Sequence, residues 1–72
     1  MVESYPLQTE YITLGQFLKD IAEIGSGGEA KWYLQENTVY VDQELENRRG
    51  RKLYAGMTVE LPGERTYHIV EA

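Results

Sequence analysis

Arg48-Arg49-Gly50-Arg51-Lys52 is the stretch of this sequence whose residue types and spacing could do chemistry. The chain has seven Lys and Arg against twelve Asp and Glu, and four of the seven sit in these five positions. Removing those four positive charges takes the net charge from −5 to −9. Side chains of one sign packed this closely repel each other, so they belong on a solvated surface, where they attract an anion. Arg offers a planar fork that grips phosphate through two hydrogen bonds, and Lys offers a point charge. Gly50 supplies a backbone free to take positive φ, from which the four side chains can splay. A phosphate-binding loop is the functional reading, and a solvated charge run is the plain one.

A second candidate lies upstream at Ser26-Gly27-Gly28-Glu29, followed by Lys31 and Trp32. Glycines at a helix start let a ligand approach the backbone, and the free N–H groups there can hold a phosphate. Against this, Ser26 and Glu29 have capping-box spacing, which would satisfy those groups, and Glu29 repels an anion. Lys31 stands one turn in and off the apolar face, as a second cation for the same anion. Trp32 has two readings, a cover for the edge of the core, which is the favoured one, and a ring for stacking on an unpaired base. Tyr40 and Tyr54 pose the same question with packing favoured at Tyr54.

Other chemistry finds little support. His68 has no second His or Cys to share a metal, and Asp42, Glu44 and Glu46 read as solvated edge charges that discourage strand aggregation. There is no cysteine nucleophile, no Gly-x-Ser-x-Gly elbow, no phosphate loop ending in Lys-Ser/Thr and no cluster of metal ligands. A 72-residue chain also has scant room for a walled pocket. The expectation is a protein that is not an enzyme, with no cofactor, metal or small-molecule substrate.

The elements that must position these residues follow from patterning. The length predicts a single domain, 1–72, that buries roughly 60% of its unfolded surface without disulfides. No apolar run approaches the ~20 residues of a membrane span, and Met1-Val2-Glu3-Ser4 lacks the features of a signal peptide. A cytoplasmic protein with no membrane partner is expected. Residues 1–7 show no periodicity, and residues 8–12 alternate as a short strand. Thr13-Leu14-Gly15-Gln16 is a capping box that opens a helix over 14–24, with Leu14, Phe17, Leu18, Ile21 and Ala22 inward and Gly25 as a left-handed C-cap. A second helix follows over 27–36, with Ala30, Tyr33 and Leu34 inward and Asn37 as C-cap. From Thr38 the period becomes two. Val39 and Val41 share one face, Asp42-Gln43-Glu44 turns, Leu53 anchors the core, and 57–61 with 66–70 form a hairpin. Helices segregated from a small sheet make an α+β domain.

Laid out in this order, Leu14-Gly-Gln-Phe-Leu-Lys19, Gly27-Gly28-Glu29-Ala30-Lys31, Val39-Tyr-Val41 and Arg48-Arg-Gly-Arg-Lys-Leu53 with Gly56 resemble the S4-like RNA-binding domain, closest to small bacterial proteins in which it stands alone. The resemblance spans roughly 9–62. It implies an αL RNA-binding motif, a two-helix hairpin packed on a small, mainly antiparallel sheet, which docks on structured RNA and does no chemistry. Ribosomal or transfer RNA, with ribosome association, is the implied partner. Carried over by position, the RNA surface comprises Ser26, Gly27, Gly28 and Lys31 on one side and Arg48, Arg49, Arg51 and Lys52 on the other, with Trp32 beside them. The chain departs from the family at two turns, with Asp42-Gln43 in place of Asn-Gly and Met57 in place of Asp after Gly56. Lys19 is the first helix's only cation. The rival expectation is a protein-interaction module whose basic loop docks an acidic partner, marked by an exposed apolar patch beside the loop.

Overall fold

The computed structural model describes residues 1–72. Its strands are β1 Val2–Leu7, β2 Ile12–Thr13, β3 Tyr40–Val41, β4 Glu44–Leu45, β5 Lys52–Leu53, β6 Thr58–Leu61 and β7 Arg65–Glu71. Two helices, α1 Leu14–Asp20 and α2 Ala30–Glu36, fall between β2 and β3, and a 3₁₀ turn, Gly27–Glu29, leads into α2. The main sheet has the order β1-β7-β6-β3-β4, and β2 and β5 form a separate antiparallel pair. The fold is α+β, on a mixed sheet in which only β1 and β7 run parallel.

Thirteen buried apolar residues form one core. Phe17 is fully buried at its centre, with the Tyr5 ring 5.1 Å away and the Tyr67 ring edge-on at 5.4 Å. Leu14, Phe17 and Leu18 from α1 meet Ala30 and Leu34 from α2, with Val41, Val59 and Ile69 from the sheet below and Val39 just before β3. The alternation expected around Tyr40 holds, because Val39 and Val41 are fully buried while Tyr40 is exposed. The hairpin expected over 57–70 is β6–β7, paired from Thr58↔His68 to Leu61↔Arg65.

Several local expectations are corrected. Residues 1–7 carry no apolar period yet form β1, because their order comes from main-chain bonds to β7. The strand expected over 8–12 is mostly the bend between β1 and β2. Pro6 is tolerated because β1 is an edge strand, where a missing N–H breaks no ladder. Helix α1 stops at Asp20, four residues before the expected end. Ala22 takes φ 63°, with its N–H donating to the Lys19 carbonyl at 3.0 Å and the Glu23 N–H donating to the Leu18 carbonyl at 2.9 Å. These two bonds make a Schellman cap, so Ala22, expected inward, is the left-handed residue expected at Gly25. Ile24 still reaches the core from beyond the helix. Asn37 caps α2 as expected, donating through both its backbone and its side chain to the Tyr33 carbonyl.

Both expected capping boxes form by half. The Thr13 hydroxyl accepts from the Gln16 N–H at 3.3 Å, while the Gln16 side chain donates instead to Asp20. Ser26 makes no capping bond, and Glu29 reaches back one residue further, accepting from the Gly25 N–H at 3.3 Å. At Asp42-Gln43 both residues have positive φ, 50° and 69°, which is the backbone of a two-residue type I′ hairpin between β3 and β4.

Candidate functional site

The basic loop is built around a buried carboxylate. Glu46, only 5% exposed, accepts from the Arg48 Nε at 2.9 Å, the Arg48 Nη2 at 3.0 Å, the Arg51 Nη1 at 2.8 Å and the Arg48 backbone N–H at 3.1 Å. The expectation that Glu46 is a solvated edge charge is therefore corrected. Both arginines fold back onto the Glu46 carboxylate. Arg48, and with it Arg51, holds the Glu46 carboxyl down to about 2, against the opposing effect of burial.

The loop's backbone is fixed by α1. The Arg51 N–H donates to the Arg48 carbonyl at 3.2 Å and closes a turn over 48–51. The carbonyls of Arg49 and Arg51 then accept from the N–H groups of Gly15 and Leu14, each at 2.8 Å. The orphan donors of the first helical turn are thus satisfied by the loop that carries the arginines. Gly50 has no positive φ and open space around it, so the splay attributed to it does not arise from a left-handed backbone. The four side chains do not splay evenly: Arg48 and Arg51 converge on Glu46, while Arg49 starts against Gly15 of α1.

Gly15 is the residue that sequence reading passed over. A Cβ there would lie 3.3 Å from the Ala30 Cβ, 3.3 Å from the Arg49 Cβ and 3.3 Å from the Arg49 carbonyl oxygen. The start of α2 and the basic loop therefore close in on either side of Gly15. Gly27, Gly28 and Lys31 flank Ala30 in sequence, and all three are exposed. Gly27, like Gly50, has nothing within 4 Å of a notional Cβ.

The cations differ in how free they are. The Arg48 side chain remains 70% exposed despite its pair, whereas Arg51 is 26% exposed. Arg49 and Lys31 are exposed and form no ion pair. Lys52 places its Nζ 4.8 Å from the centre of the Tyr11 ring. Trp32 is 60% exposed, which corrects the favoured expectation that it covers the edge of the core. The Lys31 Nζ lies 5.7 Å from its ring centre.

No Lys or Arg lines any of the three surface hollows, and the largest, bounded by Tyr5, Tyr11, Gln16 and Asp20, carries acidic groups. The candidate anion site is an open surface. A second carboxylate cluster lies apart from it. Arg65 donates to both oxygens of Glu23, and the Tyr33 hydroxyl donates to Glu23 at 2.8 Å. This ties the α1–α2 connection to the β6–β7 hairpin. His68 forms no metal cluster, with its Nδ1 3.2 Å from the Thr58 hydroxyl. No helix is long and apolar enough to cross a membrane.

A family model described as S4 domain matches residues 5–70, a wider span than the motifs alone cover. The chain is also 51% identical over 70 residues to the probable ribosome maturation protein RlbA of Bacillus subtilis (strain 168). That similarity takes in 97% of this chain and 99% of the Bacillus protein.

Proposed function

The chain belongs to the S4 domain family, and we propose that it is a non-enzymatic, cytoplasmic RNA-binding module that docks on structured ribosomal or transfer RNA. The observation that carries this is the close approach at Gly15, with Arg49 on one side and the start of α2 on the other. In this reading α1, α2 and the sheet beneath them act as an αL motif. Arg48, Arg49, Arg51 and Lys52 contact phosphates, with Lys31 assisting. Ser26, Gly27 and Gly28 let the RNA backbone approach closely, and Trp32, exposed with Lys31 near its ring, assists. Phosphate contacts position a protein without reading sequence, so recognition is mainly of shape. The name of the Bacillus relative adds ribosome association to the proposal.

The variants that test this follow from the loop's construction. Arg48 and Arg51 hold a buried glutamate, so replacing them threatens the fold, whereas Arg49 and Lys31 make no such pair. Binding of ribosomal RNA fragments and bulk transfer RNA is measured across a salt series for the wild type, Arg49→Ala and Lys31→Ala. Each lost phosphate contact should weaken binding and flatten the plot of log affinity against log salt by about 0.7–0.9. No binding by the wild type at low salt would overturn the reading.

A second reading, docking of an acidic protein, has one observation in its favour. Leu45, 66% exposed, stands immediately before Glu46. Leu45→Ser separates the two, since it leaves RNA affinity unchanged if RNA is the partner.

A further inference from the structure

Two tyrosines stand on the outer face of the small β2–β5 ribbon, continuous with the basic loop. The register pairs Ile12 with Leu53 and Thr13 with Lys52, which sets Tyr11 opposite Tyr54. Leu53 is fully buried and Ile12 packs on the core, so alternation turns Tyr11, Tyr54 and Lys52 outward. The two rings lie 5.9 Å apart at 47°, each residue 39% exposed, with the Lys52 ammonium over Tyr11. Tyr5, Tyr33 and Tyr67, by contrast, pack against the core, and the hydroxyls of Tyr5 and Tyr33 are bonded to Asp20 and Glu23. The two rings pack against each other, Lys52 sits over Tyr11, and both residues remain partly exposed.

We propose that Tyr11 and Tyr54 form a stacking platform for an unpaired nucleobase of the bound RNA, and the proposal rests on the RNA-binding reading above. A base has a π-face that stacks on tyrosine whatever its identity, and a structured RNA offers such bases at bulges and loops. The Lys52 cation favours a nucleotide as the occupant of this edge, while the hollow that Tyr11 also borders carries Glu10 and Asp20 and does not. Lys52 touches the platform, and Arg51 precedes it in the loop whose carbonyls cap α1. A backbone phosphate held by these cations brings its own base to the tyrosines. Arg49 and Lys31 then supply affinity for any RNA, while Tyr11 and Tyr54 select RNA that has an unstacked base to give.

The test compares a synthetic RNA hairpin bearing a single bulged fluorescent adenine analogue with the same hairpin fully paired. Affinity and analogue fluorescence are measured at low salt for the wild type, Tyr11→Ala, Tyr54→Ala and the double Tyr→Phe variant, with folding checked by circular dichroism. The wild type should prefer the bulged hairpin and change the analogue's emission through stacking. Each Tyr→Ala change should cost about tenfold on the bulged RNA and little on the paired one, while the Phe variant keeps the preference. Equal affinity for the two hairpins, or a preference that both Ala variants retain, overturns the platform and leaves the phosphate-binding reading standing. Failure of the wild type to bind either hairpin overturns both.

Discussion

A carboxylate buried beneath two arginines fixes their direction and is in turn kept ionised by them. Glu46 gains most of its hydrogen bonds from Arg48 and Arg51, and its folded pKa of about 2 lies below the ordinary 4.5. A depressed carboxyl pKa contributes stability that is fully present above 4.5 and is lost as the pH falls towards about 2. Glu46→Gln should therefore cost about 2 kcal/mol at neutral pH, from lost charge-assisted hydrogen bonds. The gap to the wild type should close as acid is added, in urea titrations run between neutral pH and pH ~2. A gap that persists in acid would show that the charge is not what stabilises the loop. Backbone strain supplies an independent check at this scale. Ala22 and Gln43 hold left-handed conformations that glycine adopts without steric cost. Ala22→Gly and Gln43→Gly should each stabilise the protein by about 1 kcal/mol, seen as a higher urea midpoint at an unchanged slope.

Between elements, Gly15 sets the distance that matters. Alanine is ordinarily the better helix residue by about 1 kcal/mol, and an exposed glycine in α1 would gain from the change. Here the added methyl meets a backbone carbonyl and two Cβ atoms at 3.3 Å, none of them the free end of a flexible side chain. Gly15→Ala should cost about 1–3 kcal/mol. It should also part the 46–51 loop from the start of α2, weakening RNA binding beyond the loss of stability. Thermal unfolding and the salt series on one variant test both halves of that statement. Gly27→Ala and Gly50→Ala are the matched controls, since open space surrounds both positions. They should leave thermal stability within about 0.5 kcal/mol of the wild type. If a phosphate backbone lies against them, they should still reduce affinity.

At the scale of the whole molecule, a chain of this length holds about 4–11 kcal/mol in total. The core depends heavily on one ring, because Phe17 is the only phenylalanine and joins α1 to β1 and β7 through Tyr5 and Tyr67. Phe17→Ala should cost about 3–5 kcal/mol and leave much of the population unfolded near body temperature, as circular dichroism would record. The acidic surface has a counterpart role. With +4 gathered at residues 48–52 and −9 elsewhere, any polyanion is attracted at one place and repelled from most others. That distribution favours a docked module over a general RNA coat.

What the sequence determined by itself was whatever depends on local pattern. Apolar spacing gave both helices, alternation gave the β6–β7 hairpin and the buried faces of Val39 and Val41, and charge density marked 48–52 as the one strongly basic stretch. The order of these motifs pointed to the S4 family, to which the chain belongs. The tertiary structure decided everything that depends on residues distant in the chain. Strand β1 forms only because β7 offers it a ladder. Gly15 matters only because Ala30 and Arg49 arrive on both sides of it. Tyr11 meets Tyr54 across a register that no local period specifies. Glu46 was the intermediate case. An acid two residues before a run of bases is visible in the sequence, but its burial comes with Arg48 and Arg51 folding back onto it, which spacing alone does not show.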